Sequence, residues 1–223
     1  MTVEASTRVV IVGAGDHGRV MLELFRALGT EPAGFVEPRP SPDDAGRSID
    51  GLAVIGDLDA PAGWAMPAPT FVVALGDNAT RRDVFERCIA LGLTPATAIH
   101  PRAVLLGGAT VEPGAMVCAG AILGVGASVA RNAIVNTGAT LDHDNRIGAH
   151  AHVGPGAHLG GHVTVEEGAF VGIGAVVRDG RRIGDWAFVA GGAMVVQDVP
   201  DGSRVAGVPA RAMMEPQAKK ERL

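Results

Sequence analysis

The stretch ILGVGASVARNAIVNTGATLDHDNRIGAHAHV, residues 122–153, carries an aliphatic side chain at every sixth position: Leu123, Val129, Val135, Leu141, Ile147 and Val153. Read outward, the same phase runs from Ile99 to Val195, seventeen hexapeptides without a slip. With the aliphatic residue as position one, position five is Ala in thirteen of the seventeen and position four is Gly in ten. Such a repeat is the signature of a β-helix, in which short strands and turns wind into coils and each coil hydrogen-bonds to the next. Aliphatic and Ala positions face inward, position six, where His152 and His158 stand, faces outward, and Gly supplies the positive φ of the turn.

The repeat resembles the left-handed hexapeptide β-helix, whose coil is a triangular prism of three hexapeptides; the handedness follows from that resemblance. Seventeen hexapeptides then make between five and six coils, each rising about 4.8 Å. Stacking at 18 residues turns the exceptions into a map. The four position-five exceptions, Asn145, Val163, Arg181 and Val199, fall in one column, and Asp144, His162 and Asp198 replace Gly on the same edge. A second edge collects Asn132, His150 and Trp186, while the third keeps Gly120, Gly138, Gly156, Gly174 and Gly192. Repeats break their rules at functional sites, and LDHDNR, residues 141–146, starts the departures on the decorated edge.

Composition supports a Gly-punctuated core of small aliphatic side chains, with 32 Gly, 4% aromatics and no Tyr in 223 residues. Charged residues make up 19% and the net charge is −5, which argues against a nucleic-acid or anionic-membrane surface and for small-molecule partners. No stretch of 18 apolar residues is free of Gly or charge, and the chain opens Met1-Thr-Val-Glu, so neither membrane insertion nor a signal peptide is expected. Cys88 and Cys118 lie far apart, which supports no disulfide or CxxC metal site and fits a reducing cytoplasm.

The first third reads differently. Residues 8–24 form a strand, a turn with Gly13, Gly15 and Gly18 in GxGxxG spacing, and an amphipathic helix, an arrangement that aims helix N-terminal amides at a phosphate. A second strand ends at Glu37, placed for a ribose hydroxyl, and residues 71–78 repeat the strand-to-Gly-turn theme, which makes Gly76, Asp77 and Asn78 expected substrate contacts, with a helix over 80–91. Residues 32–69 hold seven of the fourteen prolines and are expected to loop around a minor hairpin at 53–58. The expected organisation is α/β plus all-β: a small Rossmann-like nucleotide-sugar-binding domain at 1–98, the left-handed parallel β-helix at 99–200 and a C-terminal segment at 201–223. A nicotinamide cofactor is not favoured, because the β-helix follows the short α/β unit directly.

A short domain with GAGDHG, then an uninterrupted β-helix with DHD in its middle, then GVPAR at 207–211, resembles the sugar O-acyltransferase/sialic acid O-acetyltransferase family. Within it the match is to N-acetyltransferases of nucleotide-linked 4-amino-4,6-dideoxy sugars, including those acting on UDP-4-amino sugars and GDP-perosamine in polysaccharide biosynthesis. The resemblance implies a homotrimer with acetyl-CoA in the groove between neighbouring prisms; no metal is expected, on the histidine spacing given below. It implies His143 as general base supported by Asp144, CoA contacts at His152, Ile173 and Gly191, and Gly161 as backbone donor to the thioester carbonyl. Nucleotide-sugar contacts carry over to Gly15, Asp16 and His17. UDP-dependent relatives often carry an Asp-Asp pair where this chain has Glu37-Pro38, a departure that leans towards GDP.

An imidazole with an ordinary pKa of about 6.5 is suited to take a proton as an amine attacks a thioester. Adjacency leaves open whether Asp142 or Asp144 orients His143; the family pattern favours Asp144. His150, His158 and His162 also read as solvated or corner residues, His100 as structural, and Arg178, Arg181 and Arg182 as a solvated basic face. Two rival functions share the scaffold: O-acetylation of a sugar hydroxyl, sialic acid included, and a non-catalytic sugar-nucleotide-binding trimer. A metal site like that of β-helical carbonic anhydrases requires histidines five residues apart, and the gaps here are 7, 2, 6 and 4.

Overall fold

The computed structural model describes residues 8–39, 41–44, 46–60, 64 and 69–213. Positions 1–7 of the first expected domain, four short pieces of the proline-rich connection and the tail 214–223 lie outside the described residues. The apolar run at the start forms β1 (Val9–Val12), buried at all four positions as a central parallel strand must be. It is followed by α1 (Asp16–Ala27), β2 (Gly34–Glu37), β3 (Ser48–Ile49), β4 (Leu52–Asp57), β5 (Thr70–Val73), α2 (Asn78–Ala90) and β6 (Thr94–Pro95). The sheet order is β3-β4-β2-β1-β5-β6, and only the β3–β4 pair is antiparallel. The hairpin expected at 53–58 is therefore larger, and its second strand joins the main sheet beside β2.

Gly13 takes φ +104°, and a Cβ on Gly18 would fall 2.3 Å from the Gly13 carbonyl oxygen. The first turn thus closes only around glycines. Because β2 and β5 flank β1, the carboxyl ends of these strands open into the crevice where α/β sheets bind ligands.

From Ala98 onward each two-residue strand pairs in parallel with the strand 18 residues later, as in Leu123 with Leu141 and Leu141 with Leu159. Three faces result. The first holds Ala98–Ile99, Met116–Val117, Ile134–Val135, His152–Val153, Phe170–Val171 and Phe188–Val189; the second runs from Val104–Leu105 to Met194–Val195; the third from Thr110–Val111 to Arg182–Ile183. Positions one and five fill the prism, with Ala139, Leu141, Val153 and Val165 at 1% exposure or less.

Position four lies in left-handed backbone even where it is not Gly. Asn132, Asp144, His150, His162 and Trp186 have φ between +54° and +59°, a conformation that costs an L-residue about 1 kcal/mol or more. Position-four residues of the first and last hexapeptides, Arg102 and Asp198, are outside this set. The prism also continues past the boundary expected at 200: Arg204–Ala206 adds a rung to the first face, and Arg211–Ala212 pairs antiparallel with it. That last strand covers an edge that would otherwise expose unpaired backbone.

Position six of the first face, expected to point outward, is instead the floor of the domain junction. Ala98, Met116 and Ile134 are fully buried and share one apolar cluster with Met21, Leu22 and Phe25 of α1. On the adjacent edge Arg81 of α2 is fully buried, its guanidinium donating to the carbonyls of Leu75, Asn132, His150 and Ala151 and to Asn78 Oδ1. Asn78 Nδ2 donates to the carbonyls of Gly168 and Ala169. Three successive coils are thereby tied to one helix end.

Candidate functional site

His143 stands on the edge between the second and third faces. Its Nδ1 lies 3.0 Å from Asp144 Oδ2, and its backbone N–H donates to Asp142 Oδ1 at 2.7 Å. Asp144 therefore orients the ring while Asp142 caps the backbone. The hydrogen bond to Asp144, helped by the charge of Asp142, holds the imidazole pKa above its ordinary value, and the same bond holds Asp144 below the usual carboxylate range. Directly over the ring is the next coil: a Cβ built on Gly161 would fall 2.4 Å from His143 Nε2. Only a residue without a side chain leaves that nitrogen room.

Beneath this corner Asn145 is fully buried at a position that is usually Ala. Its amide donates to the Asp142 and Gly160 carbonyls and accepts from the Val163 backbone N–H. A buried amide with every contact met fixes the backbone on both sides of the DHD turn. On the next coil His162 packs edge-on to His143, centroids 4.8 Å apart, with Nε2 3.8 Å from the same Asp144 oxygen. The three residues form the one group of potential metal ligands found among the described residues, and all three are exposed.

The residues expected to meet the nucleotide sugar gather elsewhere. Gly15 is the N-cap of α1 with open space before it, and Asp16 is exposed in the first turn. His17 comes within 6.4 Å, centroid to centroid, of His152, whose position-six side chain is covered by the junction and only 7% exposed. Burial, reinforced by the Arg81 charge, pushes His17 down to about 4 and His152 to about 3, so both rings are neutral. His152 Nε2 meets Asn136 Nδ2 at 3.0 Å, whereas His152 Nδ1 and His17 Nε2 are buried with no hydrogen-bond partner among the described residues. Such atoms call for a hydrogen-bonding ligand or water.

Gly76 and Asp77 follow β5 on the other side of the crevice, with Asp77 capping α2 through the Thr80 N–H. Asn78, expected beside them as a substrate contact, is instead turned into the junction with its amide groups used by Arg81 and the prism. Glu37 reaches the same end of the sheet but pairs with Arg47 at 3.1 Å; burial and the neighbouring Asp44 raise its pKa. Arg47 also donates to the Ala14 carbonyl, linking the two loops. A groove of about 680 Å³ runs beside α1, lined by Asp16, Arg19, His100, Cys118 and Thr137 among others.

Ile173 and Gly191 occupy the edge between the first and second faces, where Ile173 is 65% exposed. The expected residues thus divide into three places. His143, Asp144 and Gly161 sit on one edge, Ile173 and Gly191 on another, and His152 with His17 on the first face, which lies across the prism from His143. Within one chain they do not form a single pocket.

The outward face of the second face reads Val104, Ile122, Thr140, His158, Val176 and Met194, with Val104, Ile122 and Val176 each at least 38% exposed. The corresponding column of the third face is Thr110, Ser128, Arg146, Thr164 and Arg182. Sequence reasoning missed this contrast, although position six of every third hexapeptide carries it. It also missed Arg81, which no spacing marks. The basic residues Arg178, Arg181 and Arg182 each face an acid, at Asp179, Asp198 and Glu166 respectively. Both cysteines are free, and burial pushes each thiol to about 12. Among the described residues no helix is long and apolar enough to cross a membrane.

The family model for the PglD N-terminal domain matches residues 8–88. The acetyltransferase domain of PglB from Neisseria gonorrhoeae, solved with acetyl coenzyme A, is 35% identical, covers 92% of this chain and 98% of its own, and superposes with a TM-score of 0.84. PerB from Caulobacter crescentus, solved with CoA and GDP-perosamine, is 37% identical over 94% of this chain and 99% of its own, TM-score 0.85. A histidine-to-asparagine mutant of the perosamine N-acetyltransferase from the same organism, with the same ligands, is 36% identical over 95% and 99%, TM-score 0.86. No curated protein matches the sequence.

Proposed function

We propose a reaction for a chain that belongs to the acetyl-CoA-dependent sugar N-acetyltransferase family of PerB and the PglB acetyltransferase domain: it acetylates the 4-amino group of a nucleotide-linked 4-amino-4,6-dideoxy sugar, GDP-perosamine being the preferred candidate. The observation that carries the reading is the His143 ring, held at Nδ1 by Asp144 with Nε2 left free under Gly161. That tautomer puts a lone pair where an attacking amine needs a base.

In this reading the amine nitrogen attacks the thioester carbonyl carbon and the carbonyl becomes an oxyanion. His143 Nε2 takes the amine proton, and Asp144 stabilises the imidazolium. The C–S bond then breaks, and the proton passes to the departing CoA sulfur. The Gly161 N–H, which has no backbone acceptor among the described residues, is assigned to the oxyanion, where a fixed donor is worth about 2.7–4 kcal/mol. Gly15, Asp16, His17, Gly76 and Asp77 are assigned to the nucleotide sugar, with the unpartnered His17 Nε2 as the strongest support. His152, Ile173 and Gly191 are assigned to acetyl-CoA, and Glu37 to the nucleoside end through its pairing with Arg47.

A homotrimer completes the site. The apolar second face supports burial against another copy, and the placement of His143 across the prism from His17 supports an active site shared by two chains. The cytoplasm, where acetyl-CoA is made and used, is the compartment we assign, in keeping with two buried free thiols.

The test is CoA release with acetyl-CoA and, in separate reactions, GDP-perosamine, a UDP-4-amino sugar and free sialic acid. Turnover on a nucleotide-linked amine, GDP-perosamine above the others, is the expected result. Turnover on sialic acid alone would replace this reading with O-acetylation, and binding of a sugar nucleotide without turnover would make the chain a non-catalytic trimer.

A further inference from the structure

We propose that His143, Asp144 and His162 form a zinc-binding site whose occupation switches the enzyme off. The catalytic pair explains His143 and Asp144 but leaves His162 without a task. Gly fills the corresponding corner at Gly108, Gly126 and Gly180 on the same edge, whereas His162 holds φ +58° there with its ring exposed. Something other than backbone convenience keeps a histidine at this position.

Two imidazole nitrogens converge on one carboxylate oxygen. His143 Nδ1 is 3.0 Å and His162 Nε2 3.8 Å from Asp144 Oδ2, and one donor atom from each of the three residues lies within 4.8 Å of the others. A tetrahedral zinc with bonds of about 2.0–2.1 Å separates its ligand atoms by about 3.3–3.4 Å, midway between those two distances. Small rotations of exposed side chains close the remainder.

The backbone preorganises the set. The His162 N–H donates to the His143 carbonyl at 2.9 Å, so the two corners are locked in adjacent coils and their rings meet edge-on at 4.8 Å. Asn145 fastens the same turn from inside the prism. Two imidazoles and a carboxylate are ligands suited to Zn²⁺ and Co²⁺. All three side chains face solvent, which leaves coordination positions for water.

Occupation and catalysis exclude each other. In the working enzyme the neutral ring carries its proton on Nδ1, donated to Asp144, and its lone pair on Nε2. Zinc takes the Nδ1 position and the Asp144 oxygen, so the ring proton moves to Nε2 and the base has no lone pair facing the amine. Acetyl transfer as written above uses no metal; here the ion is an inhibitor. Binding rests on the geometry alone, whereas inhibition rests on His143 being the base.

The experiment titrates metal-free, full-length protein with Co²⁺ as the optical probe and then measures initial rates of acetyl transfer against added Zn²⁺, before released thiol accumulates. H162N is the matched variant, because Asn132 already occupies an equivalent left-handed corner in this chain; its melting curve checks the fold. Wild type is expected to bind one Co²⁺ per chain with intense visible bands and to lose activity as Zn²⁺ is added. H162N is expected to turn over normally in chelator and to require more than about tenfold higher metal for either effect. Absence of the visible bands, or equal Zn²⁺ sensitivity in H162N, overturns the site. If Co²⁺ binding depends on His162 and Zn²⁺ nevertheless leaves the rate unchanged, the inhibition is overturned together with the assignment of His143 as base.

Discussion

Asp144 Oδ2 lies 3.0 Å from His143 Nδ1, while Asp142, the acid on the other side, accepts from the His143 backbone N–H at 2.7 Å. Two carboxylates that adjacency could not separate therefore have different tasks, and they predict different mutants. With Asp144 in place the pKa of His143 is raised, so the limb of the kcat/KM profile that rises with pH should sit above the ordinary imidazole value. D144N removes the main cause of that rise and should move the limb to lower pH while lowering the plateau by about 10²-fold. D142N should leave most of the plateau. A pH series of initial rates for the three proteins checks both.

Gly161 gives a cleaner steric test than the turn glycines, because its φ lies outside the left-handed region and Ala strains no backbone there. The added methyl would sit 2.4 Å from His143 Nε2 and must push the ring aside. G161A is expected to lose turnover by about 10²-fold or more with nucleotide-sugar Kd unchanged. Calorimetric titration alongside kinetics separates the two.

Site sharing between chains is testable by complementation. H17A and H143N should each be inactive alone. If each site takes His17 from one chain and His143 from a neighbour, mixed trimers contain some sites with both residues intact, and co-expression restores part of the activity. A site contained within one chain would stay dead in the mixture. I122E on the exposed apolar face should yield monomers by sedimentation, and those monomers should not turn over.

The domain junction should govern acid stability. His17, His150 and His152 have folded-state pKa values of about 4, about 4 and about 3, all depressed by burial. The unfolded chain binds more protons than the native one below an ordinary pKa of about 6.5, so stability is full above that pH and is lost as pH falls towards 4. The slope reaches about 1.4 kcal/mol per pH unit for each such histidine. Urea unfolding at pH 7.5, 6 and 5 measures it, and a flat profile contradicts neutral histidines at the junction.

Arg81 should be the costliest single change in that junction. Its guanidinium satisfies five acceptors, and R81M leaves buried carbonyls unpaired at about 1–3 kcal/mol each. A loss of about 3 kcal/mol or more in urea is expected. R81K should rescue only part of it, since an ammonium has three donors and no fork.

Much of this is legible in the sequence. The six-residue phase gave the prism, its three edges and the corner on which His143 stands, because stacked coils leave little freedom in register. Strict position rules also made Asp144 and Asn145 visible as departures, and both proved to be built into the His143 turn. What stayed hidden depends on contacts between distant segments. Met116 and Ile134 read as outward-facing and are buried, because a column that faces solvent in the prism alone faces α1 in the whole chain. For the same reason His152 is buried although its repeat position faces out. Asn78 read as a site residue from a local turn motif, and its long-range hydrogen bonds place it in the junction instead.

The most direct measurement is the single-turnover rate of H143N with acetyl-CoA and GDP-perosamine, together with its Kd for each. An asparagine preserves polarity at the corner but supplies no base. The expected result is acetyl transfer reduced by about 10²–10⁴-fold with both Kd values unchanged. Transfer at the wild-type rate by a folded H143N protein would contradict the account.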